Sequence, residues 1–527
     1  MSNKIQYNKV VTRFAPSPTG FMHIGGVRTA LFAWLWARKN NGTFILRIED
    51  TDKKREVEGS IDHIMASLKW LGIDWDEGVD IGGEHAPYKQ SKRLYTYKKY
   101  ANILVEKGLA YADPYSEEEV ANFRKSAEEN KKPFLYRKHR PENPPLWDGS
   151  KPLRLKTNVK KHKWHDLVRG DLEAGEEAVD DLVLIKSDGY PTYNFAHIID
   201  DLLMKVTHIF RADEFISSTP NYLAIYEALE IKRPEFVTLP PILGEAGTKK
   251  LGKRDGAKDI LDYQKEGYLP EAMLNFLAFI GWNPGEGDNR EILSKDEIIK
   301  SFEIKHIQIS GAKFNEEKLD WINKEHMKLL SPNEIEKNIL EWLPEDGMRN
   351  SKIAPKLTPL IFERISKWGD VKIVASEFKN LFYAIGFSDQ ESPVWKNLEN
   401  HPEKFDKTSE YLQKVLDLLK SVENWTYVSV KGAIEDYAKK EGNGNVFWPM
   451  RFALSGEKKS PDPFSLAEAL GKVETMERIS KLINFLRDIT KPTITDTKNI
   501  SANDQDTFNN SNKTGESTNE TEKVLNE

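Results

Sequence analysis

Residues 11–26 read VTRFAPSPTGFMHIGG. A short apolar strand runs into a turn punctuated by Pro16, Pro18 and Gly20, and the turn delivers His23, Gly25 and Gly26 to the start of a helix. Val27, Ala30, Leu31, Trp34 and Leu35 then recur at helical spacing, and the apolar run Phe44 to Ile48 ends in Glu49 and Asp50. Strand, loop, helix and strand in that order form the opening unit of a parallel sheet whose ligands sit beyond the carboxyl ends of its strands. A helix start with bare glycines and a neutral imidazole suits a polyphosphate, because backbone N–H groups and the helix dipole both face it. The segment contains neither the G-x-G-x-x-G dinucleotide fingerprint nor a P-loop. The chain is expected to take ATP by another route.

A second element lies at 248–257, TKKLGKRDGA, after the apolar run Phe236 to Leu243, which reads as a strand. Lys249, Lys250, Lys253 and Arg254 surround Gly252, as a basic loop facing a triphosphate requires. Alone, such a loop reads equally as a solvated surface or a nucleic-acid patch. Together the two elements resemble the paired HIGH and KMSKS signatures of class I aminoacyl-tRNA synthetases. ILRIEDTD (45–52), LKWLGIDWDEG (68–78), YKQSKRLYTY (88–97), DGYPTYNFA (188–196), FRADEFISSTP (210–220) and YLPEAMLNFLAFIGW (268–282) narrow the resemblance to the bacterial-type glutamyl-tRNA synthetases. GAKFNEEKLDWIN (311–323) and NVFWPMRFALSG (445–456) carry it into the C-terminal half, so that it spans roughly residues 10–490.

The resemblance implies an α/β fold. A Rossmann-like parallel-sheet catalytic domain (1–86 and 195–246) is split by an inserted α/β domain (87–194) that binds the acceptor end. A stem-contact domain with the KLGKR loop (247–330) follows, then an all-α anticodon-binding domain (331–490). Thr219 reads as a helix N-cap with Pro220 at the first helical position. Residues 491–527 carry seven acids against four lysines, −3 of the chain's net −6, and almost no large apolar residues. That composition reads as a disordered tail. The negative total therefore leaves room for basic patches at Lys131-Lys132, Arg137 to Arg140 and Lys156 to Lys163, each also readable as plain solvated surface.

The implied chemistry is ATP-dependent ligation of L-glutamate to the 3′-terminal adenosine of tRNA(Glu) through glutamyl-adenylate. Charging of tRNA(Gln) as well is the alternative. By resemblance His23 and Lys253 are catalytic. Gly25, Gly26, Glu214, Lys250, Lys253 and Arg254 bind ATP, with Gly252 hinging a mobile lid. Arg13, Ala15, Ser17, Glu49, Tyr193, His197 and Arg211 bind glutamate. The residue types fit: two carboxylates call for cations and an ammonium for an anion, and Arg13, Glu49 and Arg211 each end a strand. Trp34, Trp36 and Phe32 read as core packing rather than adenine stackers.

Three departures from the family pattern stand out. Gly26 replaces the second histidine of HIGH, Gly252 stands where serine is usual, and AYADPY (110–115) and LYRKHR (135–140) lack the cysteines by which some relatives hold zinc. With no cysteine in 527 residues, disulfides and thiolate sites are excluded. ATP with Mg²⁺ is the expected cofactor set, with no zinc or other protein-held metal. A cytoplasmic monomer, with no membrane segment, is the expected state. A tRNA-free nucleotidyltransferase of the same fold type is disfavoured by the helical half at 331–490. An inactive RNA-binding paralogue is disfavoured by the presence of Arg13, His23 and Lys253.

Overall fold

A computed structural model describes residues 9–247, 249–252, 258–345, 347–377, 379–383, 402–457 and 460–490. The expected catalytic Lys253, its neighbour Arg254 and the tail 491–527 lie outside the described residues.

Strand β1 (Val11–Phe14) pairs in parallel with β2 (Thr43–Leu46), and β2 with β3 (Glu77–Gly78). Helix α1 (Ile24–Lys39) connects the first two, and α2 (Ser60–Trp70) leads toward the third. Almost every apolar residue of α1 is buried, because the helix lies between the sheet and two later helices. Trp34 and Phe32 are core residues, as the spacing predicts.

The stretch 87–194 divides its strands between two sheets. Helix α3 (Leu94–Glu106) leads into β4 (Ala110–Ala112), and after α4 (Glu117–Glu129) β4 pairs antiparallel with β5 (Leu153–Leu155). The hairpin β6 (His162–Asp166) and β7 (Gly170–Ala174) instead joins a four-stranded sheet with two later strands, whereas β8 (Val183–Ile185) returns to β5. Asp166 fastens that junction: its buried carboxylate accepts from Val168 N, Arg169 N, Thr238 N and Thr238 Oγ1.

Helix α5 (Tyr193–Leu203) leads into β9 (His208–Ala212), α6 (Thr219–Leu229) and β10 (Glu235–Leu239). Strands β9 and β10 are parallel, and β10 is parallel to β6. The two sheet halves meet where Thr207 N–H donates to Val11 O at 2.9 Å and Val11 N–H to Thr207 Oγ1 at 2.9 Å. The strand order thus reverses between β1 and β9, the place where open α/β sheets leave a crevice.

Two local expectations are corrected. The run Phe236 to Leu243 is not one strand: Pro240 and Pro241 end β10, and Ile242–Leu243 form a separate β11 that pairs with Ala312–Lys313. Ser218, not Thr219, is the N-cap of α6, because Thr219 Oγ1 donates back to Phe215 O at 2.9 Å. The helices Pro270–Phe279 and Lys295–Ser301 cover the outer face of α1. From Pro332 onward the described chain is helical around its own core, ending in Pro463–Thr490, which is interrupted at Gly471.

Candidate active site

The carboxyl ends of β1 and β9 open on one cavity of about 310 Å³. From β1 and its loop come Arg13, Ala15 and Ser17, and the start of α1 supplies His23, Gly25 and Gly26. Glu49 enters from beyond β2, Tyr193 from the start of α5, and Arg211 and Glu214 from the end of β9. Lys250 closes the rim. His197 does not line the cavity; its ring stacks beneath Tyr193 at 4.8 Å between centroids. Arg28, Thr29, Phe215, Pro240, Ile242 and Leu251 also line the wall and were not singled out in the sequence.

His23 is the N-cap of α1, and its Nδ1 accepts from Gly25 N–H at 3.1 Å. That bond places the proton of the neutral ring on Nε2. It also changes the reading of the glycines, because the Gly25 N–H is used by the imidazole rather than left bare for phosphate. A Cβ on Gly25 would stand 3.1 Å from His23 Cε1, so glycine is what lets the ring fold back as a cap. On Gly26 a Cβ would meet only Met22, at 3.5 Å.

Behind the cavity lies a chain of buried charges. Asp201 accepts from Arg13 Nε at 3.1 Å and Nη2 at 3.2 Å, and from Arg47 Nη1 at 2.8 Å. Arg47, with no exposed surface, donates through Nη2 to Glu49 Oε1 at 2.8 Å. Burial works against ionising Asp201, but Arg13 and Arg47 outweigh it and hold the carboxyl well below the usual range. For Glu49 burial prevails over Arg47, so its proton affinity is raised. One Glu49 oxygen is committed to Arg47, which fixes the carboxylate's direction at the cavity wall. Arg47 carried a signal in the sequence: a cation inside the apolar run Phe44 to Ile48 is buried only when paired.

Arg211 is unlike the other arginines. It is 5% exposed, and none of its three guanidinium nitrogens has a hydrogen-bond partner among the described residues. Its charge rests against the rings of Tyr222 at 5.1 Å, Phe236 at 5.4 Å and Phe215 at 5.6 Å. Ring faces compensate a buried guanidinium only in part, so the arrangement is poised for an anion. Burial first, and then Arg211, lower the His197 pKa to about 3. His197 is therefore neutral, with Nδ1–H donating to Tyr193 O at 2.8 Å. Arg28, missed in the sequence, ties the wall together by donating to Ile280 O at 3.1 Å and to Pro240 O. Burial brings its pKa down to about 10, against the opposing charge of Asp213.

The site can thus receive a ligand with two anionic groups and one cationic group beside a helix start that offers an imidazole N–H. Among the described residues no cluster of three or more His, Asp or Glu could hold a metal ion.

The chain is similar to known proteins over most of its length. Residues 9–321 match the family described as tRNA synthetases class I (E and Q), catalytic domain, and residues 330–483 match an anticodon binding domain. A glutamate–tRNA ligase of Clostridium botulinum is 38% identical over 491 residues, which covers 91% of this chain and 99% of that protein. Glutamate–tRNA ligase 1 of Fervidobacterium nodosum is 38% identical over 490 residues, 90% of this chain and all of that protein. A crystal structure of a glutamate tRNA ligase from Elizabethkingia meningosepticum in complex with its amino acid superposes with a TM-score of 0.78 at 35% identity. The match covers 91% of this chain and 100% of that one.

Proposed function

The chain belongs to the class I tRNA synthetases for glutamate and glutamine, and on that premise we propose that it joins L-glutamate to the 3′-terminal adenosine of tRNA(Glu). In the first step a glutamate α-carboxylate oxygen attacks the α-phosphorus of ATP and pyrophosphate leaves. In the second a ribose hydroxyl of the tRNA end attacks the acyl carbon and AMP leaves. Such transfers depend mainly on positioning and charge stabilisation.

The observation that carries this reading is Arg211, a buried cation at the cavity wall without a hydrogen-bonding partner among the described residues. It takes one substrate carboxylate, Arg13 meets the other, and Glu49 faces the ammonium. Ala15, Ser17 and Tyr193 shape the same pocket, with His197 packed behind Tyr193. His23 donates from Nε2 to phosphate oxygens as charge builds, and Gly25 and Gly26 let the nucleotide lie against α1. Lys250 reaches the phosphates from the rim and Glu214 lies near ATP. Lys253 and Arg254 are assigned to the β- and γ-phosphates by resemblance alone. Mg²⁺ would enter with the nucleotide, the usual habit of that ion; the described residues hold no protein cage for it. A cytoplasmic monomer is the state proposed. No described helix is long and apolar enough to cross a membrane.

The test is aminoacylation of purified tRNA(Glu) and tRNA(Gln) with glutamate, aspartate and glutamine. Glutamate on tRNA(Glu) is the expected product. Glutamine should be rejected by at least about 10³-fold, since its neutral amide leaves Arg211 uncompensated. Charging with glutamine at comparable efficiency would overturn the assignment of Arg211. Glutamylation of tRNA(Gln) would identify the broader enzyme.

A further inference from the structure

Helix α2 and the turn that leads into it tie down the loop between β1 and α1 at every second residue. Val57 N–H donates to Pro18 O at 2.8 Å, Ser60 Oγ donates to Gly20 O at 2.7 Å, and Met22 N–H donates to His63 Nδ1 at 3.3 Å.

The third tie does more than the other two. His63 Nε2 lies 2.7 Å from Asp259 Oδ2, and Asp259 Oδ1 caps the helix Ile260–Lys265 by accepting Leu261 N–H at 2.9 Å. Met22 O in turn accepts Ile260 N–H at 3.1 Å, and His23 and Asp259 form an antiparallel backbone bridge. Phe21 stacks over the imidazole at 4.6 Å. With Nδ1 accepting from Met22, the proton of the neutral ring sits on Nε2 and is given to Asp259. One imidazole, only 13% exposed, therefore joins α2, the residue preceding His23, and the cap of the helix that follows the basic stretch 249–257. It does not line the cavity.

We propose that His63 is a positioning residue for the adenylation step, setting His23 relative to the residues that follow the basic stretch. The proposal rests on the function given above. A solvated or purely packing histidine would not have both ring nitrogens committed to the two segments that bracket the nucleotide. An in-line displacement loses heavily on a misplacement of about 1 Å, so loosening Met22 is felt at phosphorus although His63 touches no substrate.

The experiment is tRNA-supported ATP–pyrophosphate exchange by the full chain carrying His63→Leu, His63→Gln or Asp259→Asn, with melting temperatures in parallel. His63→Leu should lower kcat about tenfold, with the glutamate KM held within about twofold. His63→Gln, whose carbonyl can accept from Met22 and whose amide can donate to Asp259, should recover to within about threefold of wild type. Asp259→Asn keeps the acceptor for Leu261, so it gives the same comparison should the leucine variant fail to fold: kcat falls and KM holds. Unchanged kcat in His63→Leu, or glutamine no better than leucine with activity tracking only the folded fraction, would overturn the proposal. Failure of the wild type to exchange with glutamate would instead overturn the function on which it rests.

Discussion

The Lys250 ammonium donates to the Glu214 carboxylate across the mouth of the cavity. Both side chains are more than half exposed, 52% and 58%, so the pair itself contributes about 0–1 kcal/mol and is easily exchanged for a better anion. The two groups proposed to meet ATP are thus each other's partner before ATP arrives, and a triphosphate must win the ammonium from the carboxylate. Lys250→Ala should raise the ATP KM about tenfold, the loss of about one charge-assisted hydrogen bond. Glu214→Gln should leave it within about threefold, because releasing the lysine offsets the lost carboxylate. Initial-rate kinetics on both variants decide the matter; a larger penalty for Glu214→Gln would make the carboxylate the true nucleotide contact.

Arg211 should show opposite effects on activity and stability. Arg211→Gln removes the cation proposed for a substrate carboxylate, and glutamate kcat/KM should fall by about 2–5 kcal/mol. The same change removes a buried charge that ring faces compensate only in part, so the melting temperature should rise. A variant that loses both activity and stability would show that Arg211 is a structural cation.

Gly25→Ala sets local helix propensity against the site. Alanine improves a helix by about 1 kcal/mol over glycine, yet its Cβ would press on His23 Cε1 at 3.1 Å and Nδ1 at 3.2 Å. The imidazole must shift by a few tenths of an ångström, which loosens its cap on Gly25 N–H. Exchange should drop by about 10²-fold, within the range for losing one preorganised donor, while the melting temperature stays level. Normal exchange in this variant would separate the cap from the catalysis.

Stability should fall as pH drops from neutral. His197 has its pKa lowered to about 3 and His208, through burial, to about 4. An unfolded histidine takes up its proton near pH 6.5, which the folded state refuses until far lower pH. Each buried ring therefore costs up to about 1.4 kcal/mol per pH unit below that point. Asp201, held low by Arg13 and Arg47, keeps its contribution until the pH falls below the ordinary carboxylate range. Denaturant midpoints at pH 7 and 5 should differ, and His197→Phe, which keeps a ring on Tyr193, should shrink the difference. An equal difference in that variant would remove His197 from the account.

The strand ends carrying Arg13 and Arg211, and Glu49 just beyond β2, could be read in the sequence because short apolar runs and their charged terminators are local patterns. So could the helix start at His23. The connection of Arg13 and Arg47 to Asp201 could not, since partners 188 and 154 residues apart leave no periodicity to detect. The hairpin 162–174 reads as part of an insert for the same reason: only the sheet pairing of Asp166 with Phe236 reveals where it belongs. Thr219 has the composition of a cap, but its hydroxyl chose a carbonyl four residues back. The double tie of His63 leaves no trace in spacing at all.

The Asp201 carboxylate also constrains the order in which the chain can be completed. Until residue 201 has been made, Arg13 lacks its counter-ion, Arg47 holds only Glu49, and Asp200 is not there for Arg93, Gln90 and Tyr97 to grip. A nascent chain that has only the first half of its sheet therefore holds a stranded Arg13 and a half-paired Arg47 where a core should be. No cut between residues 50 and 200 should yield an N-terminal fragment that stands alone. On the ribosome the first strands must wait through synthesis of the whole intervening stretch, and every molecule that binds glutamate is one in which that wait ended in correct docking.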